Sequence, residues 1–510
     1  MNTPLTPLAL IHRGLMAYPN RTALIDGTRN LTYRQLGHKA SGLARRLRRA
    51  GIVAGDRVAV LGANTQETFL AYLAVPLAGA VLVPLNTRLG ADDYAYILDH
   101  SGAGAILLGP EYGDQPPPGG PADVPTIRLD LPAEDDVSPV DWDLADIDEG
   151  GLLSINYTSG TTARPKGVMQ THRNNYVNAV DLIIACRLAR ESIHLHVAPL
   201  FHANGWGFIW ATLAVGATNV MLPKVDPAEI FRLIEAHAVT SLNATPTVWV
   251  RLLEARPEHP VRKGVRVVAG GAAPPAGVIR RVGEELGWEV IHLYGLTETT
   301  AFLTGFEPET DERSRPPEER SLLAARQGIP LPLAGEVRVV REDLADVRPD
   351  GEELGEVVAR GNVVMEGYYR DPSATEKAFA GGWFHTGDVA VRHPDGTIQI
   401  KDRMKDVIIS GGENIPSLEV EGVLYTHPDV AEAAVVGTAH PVWGETPVAF
   451  VVPRSGRRLA EEELIAYCRE RLPHFKAPSR IVQVDHLPRN ASGKVRKVDL
   501  RSRLAEDRAP

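Results

Sequence analysis

Through the first 300 residues, short apolar runs alternate with amphipathic stretches. RVAVLGAN (57–64), VLVPLN (81–86) and AGAILLGP (103–110) have the length and apolar density of buried strands. Between them, TQETFLAYLAVPLAGA (65–80) and LGADDYAYILDHSG (89–102) have helical spacing, with Pro76 marking a bend or an end. This βαβαβ order predicts a mainly parallel sheet covered by helices. Residues 111–150 break the rhythm with Pro116, Pro117, Pro118, Gly119 and Gly120 and read as a surface loop or connection. The alternation then resumes. HLHVAPLF (194–201), TNVMLPK (218–224), GVRVVAGG (264–271) and WEVIHLYG (288–295) read as strands, with helices at 205–216 and 275–286. Asp226-Pro227-Ala228-Glu229 predicts a helix start with a capping box, after which Ile230, Leu233, Ile234 and Ala238 fall on one face. Shorter segments follow: AGEVRVV (334–340), GEVVARG (355–361) and GTIQIKD (396–402), spaced as antiparallel strands or a barrel. VAEAAVVGT, PVAFVV and EEELIAYCRERL close the chain as a small α+β unit.

Composition adds exclusions. The 510 residues are 44% hydrophobic and 23% charged, with a formal net charge of −10. An acidic chain lacks the basic footprint of a nucleic-acid binder. Cys186 and Cys468 stand alone, without the spacing of a disulfide framework or zinc site, and read as small buried residues. Neither a secretory signal nor a transmembrane run is visible, so cytoplasmic residence and no integral membrane contact are expected.

The chemistry begins at Tyr157-Thr158-Ser159-Gly160-Thr161-Thr162-Ala163-Arg164-Pro165-Lys166-Gly167, directly after the apolar run LLSIN. Hydroxyls, glycines that open the backbone amides, and one lysine suit a polyphosphate. It is not a G-x-x-x-x-G-K-[ST] loop, and no G-x-G-x-x-G follows a strand, which removes support for a dinucleotide fold.

This string resembles the signature of the adenylate-forming superfamily of acyl-CoA synthetases, peptide-synthetase adenylation domains and luciferases. Other motifs occur in the order that resemblance requires. Ala163 stands where many relatives carry glycine, and Asn490 where many carry threonine. The resemblance implies an α/β fold: a large N-terminal domain of two doubly wound subdomains plus a distorted β-barrel, and a small mobile α+β domain. The implied boundaries are 1–401, a hinge at 402–406, and 407–510.

It also implies roles. Thr158, Ser159, Gly160, Thr161, Thr162 and Lys166 would hold the β- and γ-phosphates of ATP, and Gly271, Ala272 and Ala273 would lie along the adenine. Tyr294 would stack near the base, Thr297 bond the α-phosphate and Glu298 hold Mg²⁺, while Asp388 and Arg403 take the ribose. Phe201, Asn204 and Trp206 would line the acyl pocket, with His202 orienting the reacting carboxylate. Lys405 falls at the hinge position, Gly411 and Gly412 at the passage for a thiol arm, and Lys494 at the catalytic lysine of the first half-reaction. Taken singly, each short motif reads equally as a turn, a cap or a core aromatic.

The implied reaction joins a small carboxylic acid to ATP as an acyl-adenylate, with release of pyrophosphate, then passes the acyl group to a thiol, with coenzyme A expected as second substrate. Trp443 and Phe475-Lys476-Ala477-Pro478 resemble positions that receive the coenzyme A nucleotide, yet Ala477 and Ser479 offer its phosphates no charge. Three alternatives stay open: an amide ligase without coenzyme A, a free-standing loader of a carrier protein (no carrier domain being expected after the small unit), and a nucleotide-binding module without turnover. Lys494 and Glu298 together argue against the last. The motifs are most like those of synthetases for short- to medium-chain or aryl acids. A homodimer is compatible with the sequence, which carries no pattern that fixes oligomeric state.

Overall fold

A computed structural model describes residues 3–113, 119, 124–130, 142, 144–158, 164–255, 261–308, 314–454, 456–489 and 495–506. Two sheets dominate the large N-terminal part. The first runs Gly367–Tyr368, Lys166–Thr171, Leu152–Thr158, Val81–Pro84, Arg57–Leu61, Ala103–Leu108, Thr126–Arg128, and is parallel except at the first two strands. The second has nine strands. Its parallel centre is Glu289–Tyr294, Arg266–Ala269, Ser241–Ala244, Ile193–His196, Thr218–Met221 and Thr22–Asp26.

The alternation of strand side chains sorts them into layers. Val58 and Val60 face a core shared by both sheets, together with Leu24, Met221 and Val268 from the second sheet. Ala59 and Leu61 face the opposite way, into a cluster with Tyr94, Ile97 and Leu98 of the helix Ala91–Ser101. On the far side of the second sheet, Leu195, Val220, Leu242 and Val267 pack against Ile230 and Ile234 of Pro227–His237 and Trp249 of Pro246–Ala255. Helices therefore fill the space between the sheets and cover both outer faces, the doubly wound arrangement expected.

Several local expectations change. Asp226 caps its helix by accepting from the Glu229 amide at 3.0 Å, but the Glu229 carboxylate pairs with Arg232 at 2.7 Å, so there is no capping box. Thr126–Arg128, inside the segment expected to be loop, adds a parallel edge strand beside Ala103–Leu108. The strand expected over 194–201 stops at His196, and the helix expected from 205 is Phe208–Val215, preceded by a turn of opposite hand. The barrel expectation is corrected. Glu336–Val340, Gly355–Arg360, Phe384–Arg392 and Ile398–Arg403 form a four-stranded antiparallel sheet, its last strand bridged through Ile398 to Gly328 beside the strand Ile329–Pro330 of the nine-stranded sheet, and no closed barrel is present among the described residues.

The small C-terminal part is built on Val430–His440 and Gly444–Pro453. Ile408–Ser410 and Arg480–Gln483 both pair with the latter strand. Helices Ser417–Tyr425 and Glu461–Arg469 pack on one face, and Lys497–Glu506 on the other through Leu500 and Leu504.

Candidate active site

In the nine-stranded sheet the chain leaves Ile193–His196 for Thr218–Met221 on one side, then returns to place Ser241–Ala244 on the other. Such a reversal opens a crevice beyond the carboxyl ends of the strands. The motifs singled out by sequence emerge there: the 199–207 segment after Ile193–His196, Gly270-Gly271 after Arg266–Ala269, and Gly295 to Glu298 after Glu289–Tyr294.

At one side of the crevice, Tyr294 donates from its hydroxyl to Asp388 Oδ2 at 2.5 Å, and Arg403 Nε pairs with Asp388 Oδ1 at 2.7 Å. Asp388 and Arg403 are cross-strand partners, which fixes their spacing. Asp388 is 3% exposed. Burial, and then the neighbouring Asp388 charge, push the Tyr294 hydroxyl well above its ordinary value, so it remains a donor. Gly387 turns this segment at φ +70°, where a side chain would be strained. Three residues expected to meet the nucleoside thus form one contact group.

The phosphate signature lies on a hairpin between Leu152–Thr158 and Lys166–Thr171, with Thr158 and Lys166 facing each other at its mouth. Ser159, Gly160, Thr161 and Thr162 lie outside the described residues, as does Lys494. Lys166 Nζ sits 4.6 Å from the ring centroid of Tyr368, whose hydroxyl donates to Glu298 Oε1 at 3.0 Å. Tyr368 was missed from sequence. It joins the hairpin as the edge-strand partner of Val168 and links lysine and carboxylate. The sequence signal was Gly367-Tyr368-Tyr369, aromatic residues beside a glycine in a polar stretch. Burial, then the Glu298 charge, raise the Tyr368 hydroxyl, which stays protonated. Glu298 Oε2 has no hydrogen-bond partner among the described residues. One carboxylate oxygen of that kind fits Mg²⁺, which takes few protein ligands and completes its shell with phosphate oxygens and water.

The acyl segment carries unusual backbone. Ala203, Asn204, Gly205, Trp206 and Gly207 all have positive φ, from +39° to +80°. Left-handed conformation costs roughly 1–2 kcal/mol per non-glycine residue, so its surroundings must hold the turn. Asn204 is fully buried and donates to Ser154 Oγ at 2.8 Å. Trp206 packs edge-on against Phe302, with ring centroids 5.7 Å apart. A Cβ on Gly270 would come within 3.2 Å of the Trp206 ring and 2.9 Å of Phe302, so glycine is required for this approach. Gly271, at φ +78°, and the exposed Ala272 and Ala273 lie next to that wall. Phe201 is buried, and His202 is half-buried at the start of the turn.

The structure does not gather every candidate. Lys405 is exposed on the segment after Ile398–Arg403. Gly411 packs on Trp443 in the C-terminal part, its amide donating to the Trp443 carbonyl at 2.7 Å, and a Cβ added at Gly412 would meet nothing within 4 Å. Among the described residues no cluster of three metal-ligating side chains occurs, and no helix is long and apolar enough to cross a membrane.

The family model for AMP-binding enzymes matches residues 12–369, and that for the AMP-binding enzyme C-terminal domain matches 419–494. The chain belongs to the AMP-binding enzyme family. Among similar AMP-binding enzymes are a peroxisomal butyrate–CoA ligase and a peroxisomal benzoate–CoA ligase of Arabidopsis thaliana, each 39% identical over 98% of this chain and 93% of the relative. A solved o-succinylbenzoate coenzyme A synthetase from Bacillus subtilis, in complex with ATP and magnesium ion, is 31% identical with a TM-score of 0.82 over 97% of this chain and 99% of that one. An amide bond synthetase from Marinactinospora thermotolerans is 28% identical with a TM-score of 0.83 over the same shares. The protein is thus an AMP-forming acid–thiol ligase by kinship, with the crevice above as its candidate centre.

Proposed function

We propose that the chain activates a small carboxylic acid with ATP, as an acyl-adenylate, and transfers the acyl group to coenzyme A. The observation that carries this is the Tyr294–Asp388–Arg403 group together with Glu298, four residues after Tyr294, which Tyr368 links to Lys166. A buried carboxylate facing a crevice suits vicinal ribose hydroxyls, and a lysine-bearing hairpin suits phosphates. Mg²⁺ at Glu298 would offset phosphate charge.

Within that reading the protein forms no covalent bond. It aligns the acid carboxylate with the α-phosphorus and stabilises the charge that shifts there. Thr297 bonds the α-phosphate, Thr158, Ser159, Thr161, Thr162 and Lys166 hold the remaining phosphates, and Lys494 bridges the reacting groups. Trp206 and Phe302 wall the acyl pocket, which supports a compact or flat acid. Residues 1–401 and 407–510 act as two domains about a hinge at Lys405, and the turn at Gly411 and Gly412 passes the thiol arm. Coenzyme A is favoured as acceptor by the names of the similar plant ligases. The amide bond synthetase of like structure keeps an amine as the second reading. We place the reaction in the cytoplasm; a tagged chain localising to peroxisomes, as the plant relatives' names would have it, would refute that.

The test is pyrophosphate release from ATP with a panel of short, branched and aryl acids, each with coenzyme A, with amines, or alone. Thioester dependent on coenzyme A supports the main reading, and amide without coenzyme A the second. No pyrophosphate with any acid overturns both.

A further inference from the structure

Behind the crevice the two large sheets meet through buried amides and a hydroxyl. Gln170 lies on the return strand of the phosphate hairpin and is fully buried. Its Nε2 donates to the Thr297 carbonyl at 2.8 Å. Its Oε1 accepts from Ser154 Oγ at 3.3 Å and from Asn204 Nδ2 at 3.3 Å, and Asn204 Nδ2 reaches Ser154 Oγ at 2.8 Å. Ser154 and Gln170 are cross-strand partners in the first sheet, while Asn204 and Thr297 stand on loops of the second. One carboxamide therefore holds both the left-handed acyl turn and the main chain of the α-phosphate segment.

We propose that Gln170 is a positioning residue that couples the acid pocket to the α-phosphate seat, so that acid and nucleotide bind cooperatively. The physical reason is accounting. Both acceptor bonds of the carboxamide oxygen go to the acyl side and its donor bond to the α-phosphate side, so a shift of one loop must be answered by the other or weaken a buried hydrogen bond. The left-handed turn makes the acyl side easily displaced, because its three non-glycine residues are in an unfavoured conformation that these contacts, a further bond from Asn204 to Asn175 and the Trp206 packing maintain. Coupling between two binding sites is reciprocal: acid bound against Trp206 tightens ATP by the same factor that ATP tightens the acid. The inference rests on the functional reading above, in which Thr297 meets the α-phosphate and Trp206 the acyl group.

The experiment measures ATP–pyrophosphate exchange by the full chain, with the acid KM determined at low and at saturating ATP. For the unaltered protein the acid KM should fall about fivefold or more as ATP saturates, within the usual span of such coupling. In Gln170→Leu, which keeps the volume and removes every polar arm, the acid KM should no longer respond to ATP. Gln170→Glu keeps the acceptor for Ser154 and Asn204 but loses the donor to Thr297, so it should raise the ATP KM and lose the coupling. Ser154→Ala should raise the acid KM, leaving the ATP dissociation constant, measured without acid by equilibrium binding, unchanged. It also serves if either Gln170 variant fails to fold. Wild-type coupling in folded Gln170→Leu, or an unshifted acid KM in Ser154→Ala, would overturn the proposal. So would a lower active fraction with both KM values unmoved, the mark of a purely structural role. An unaltered protein that exchanges pyrophosphate but shows no coupling overturns this inference alone; one that exchanges none overturns the functional reading with it.

Discussion

Replacing Lys497 with methionine should unfold the C-terminal part at markedly lower temperature, and the deficit should shrink on acidification. Lys497 Nζ pairs with Glu421 Oε1 at 2.7 Å and donates to Ser417 Oγ, with both charged side chains nearly sealed from solvent at 13% and 11% exposure. Asp402 accepts from the Ser417 amide at 2.5 Å and adds a second buried carboxylate beside the lysine. Removing the one cation leaves Glu421 buried and uncompensated, which costs about 3–5 kcal/mol. For a domain of about a hundred residues that corresponds to a fall of roughly 10 °C or more. The pH dependence follows from the directions of the shifts. Burial pushes Glu421 up despite Lys497, and Asp402 likewise. A carboxyl with a raised folded value contributes stability that is full below its unfolded value and is lost as pH rises through the folded one. Without Lys497 both values rise further, so protonation relieves the strain already in mildly acidic buffer. In the unaltered protein Lys497 is itself raised: burial acts to lower it, but Glu421 and Asp402 outweigh that, so its contribution persists until pH passes the ordinary lysine range. The assay is thermal unfolding of Lys497→Met, Glu421→Gln and the double variant at about pH 5 and about pH 8. A deficit equal at both pH values, or a double variant no more stable than Lys497→Met, would refute the reasoning.

Two further outcomes follow from the site. Asp388→Ala removes the acceptor shared by Tyr294 and Arg403, and should raise the ATP KM with little change in the acid KM measured at saturating ATP; equal changes in both would count against a ribose contact. Lys494→Ala should lower adenylation about 10²–10³-fold while sparing thioester formation from supplied acyl-adenylate, and loss of both half-reactions in parallel would show that the lysine serves the fold or both steps.

The parallel strands were legible because a buried strand must be apolar along its length, as RVAVL and VLVP are. The hidden edge strand Thr126–Arg128 was not, since its three residues are intermediate or exposed and carry no apolar run. The left-handed turn was invisible for another reason. Asn204 and Gly205 permit positive φ, but nothing local in Ala203 or Trp206 demands it; the demand comes from Ser154 on another sheet and from Phe302. Motif residues could be found one at a time, whereas Gln170 matters through Thr297, 127 residues away, as well as Ser154 and Asn204, and Tyr368 through Glu298, 70 residues away. The barrel expectation failed on pairing: three strand-like segments announce an antiparallel sheet, but not whether its edges meet.

The junction between the two parts bears on how two reactions share one crevice. Asp402 is the penultimate residue of the strand Ile398–Arg403, paired to the large part, yet its Oδ2 is held by the first amide of the helix Ser417–Tyr425 in the small part. Asp406, four residues on, is bound by Arg501 of the terminal helix at 2.8 Å. If Lys405 is the hinge, as proposed, Asp406 and Arg501 lie on the same side of it and would turn together. The Asp402–Ser417 bond crosses the proposed hinge and would have to break for the small part to turn about it. A hydrogen bond to a charged group contributes about 1.5–3 kcal/mol, so this latch favours one arrangement by roughly ten- to a hundredfold without locking it. A bias of that size is within reach of a substrate that binds the other arrangement more tightly. On the proposed hinge, the latch would hold the small part in place for one half-reaction and release it once the crevice holds acyl-adenylate in place of ATP.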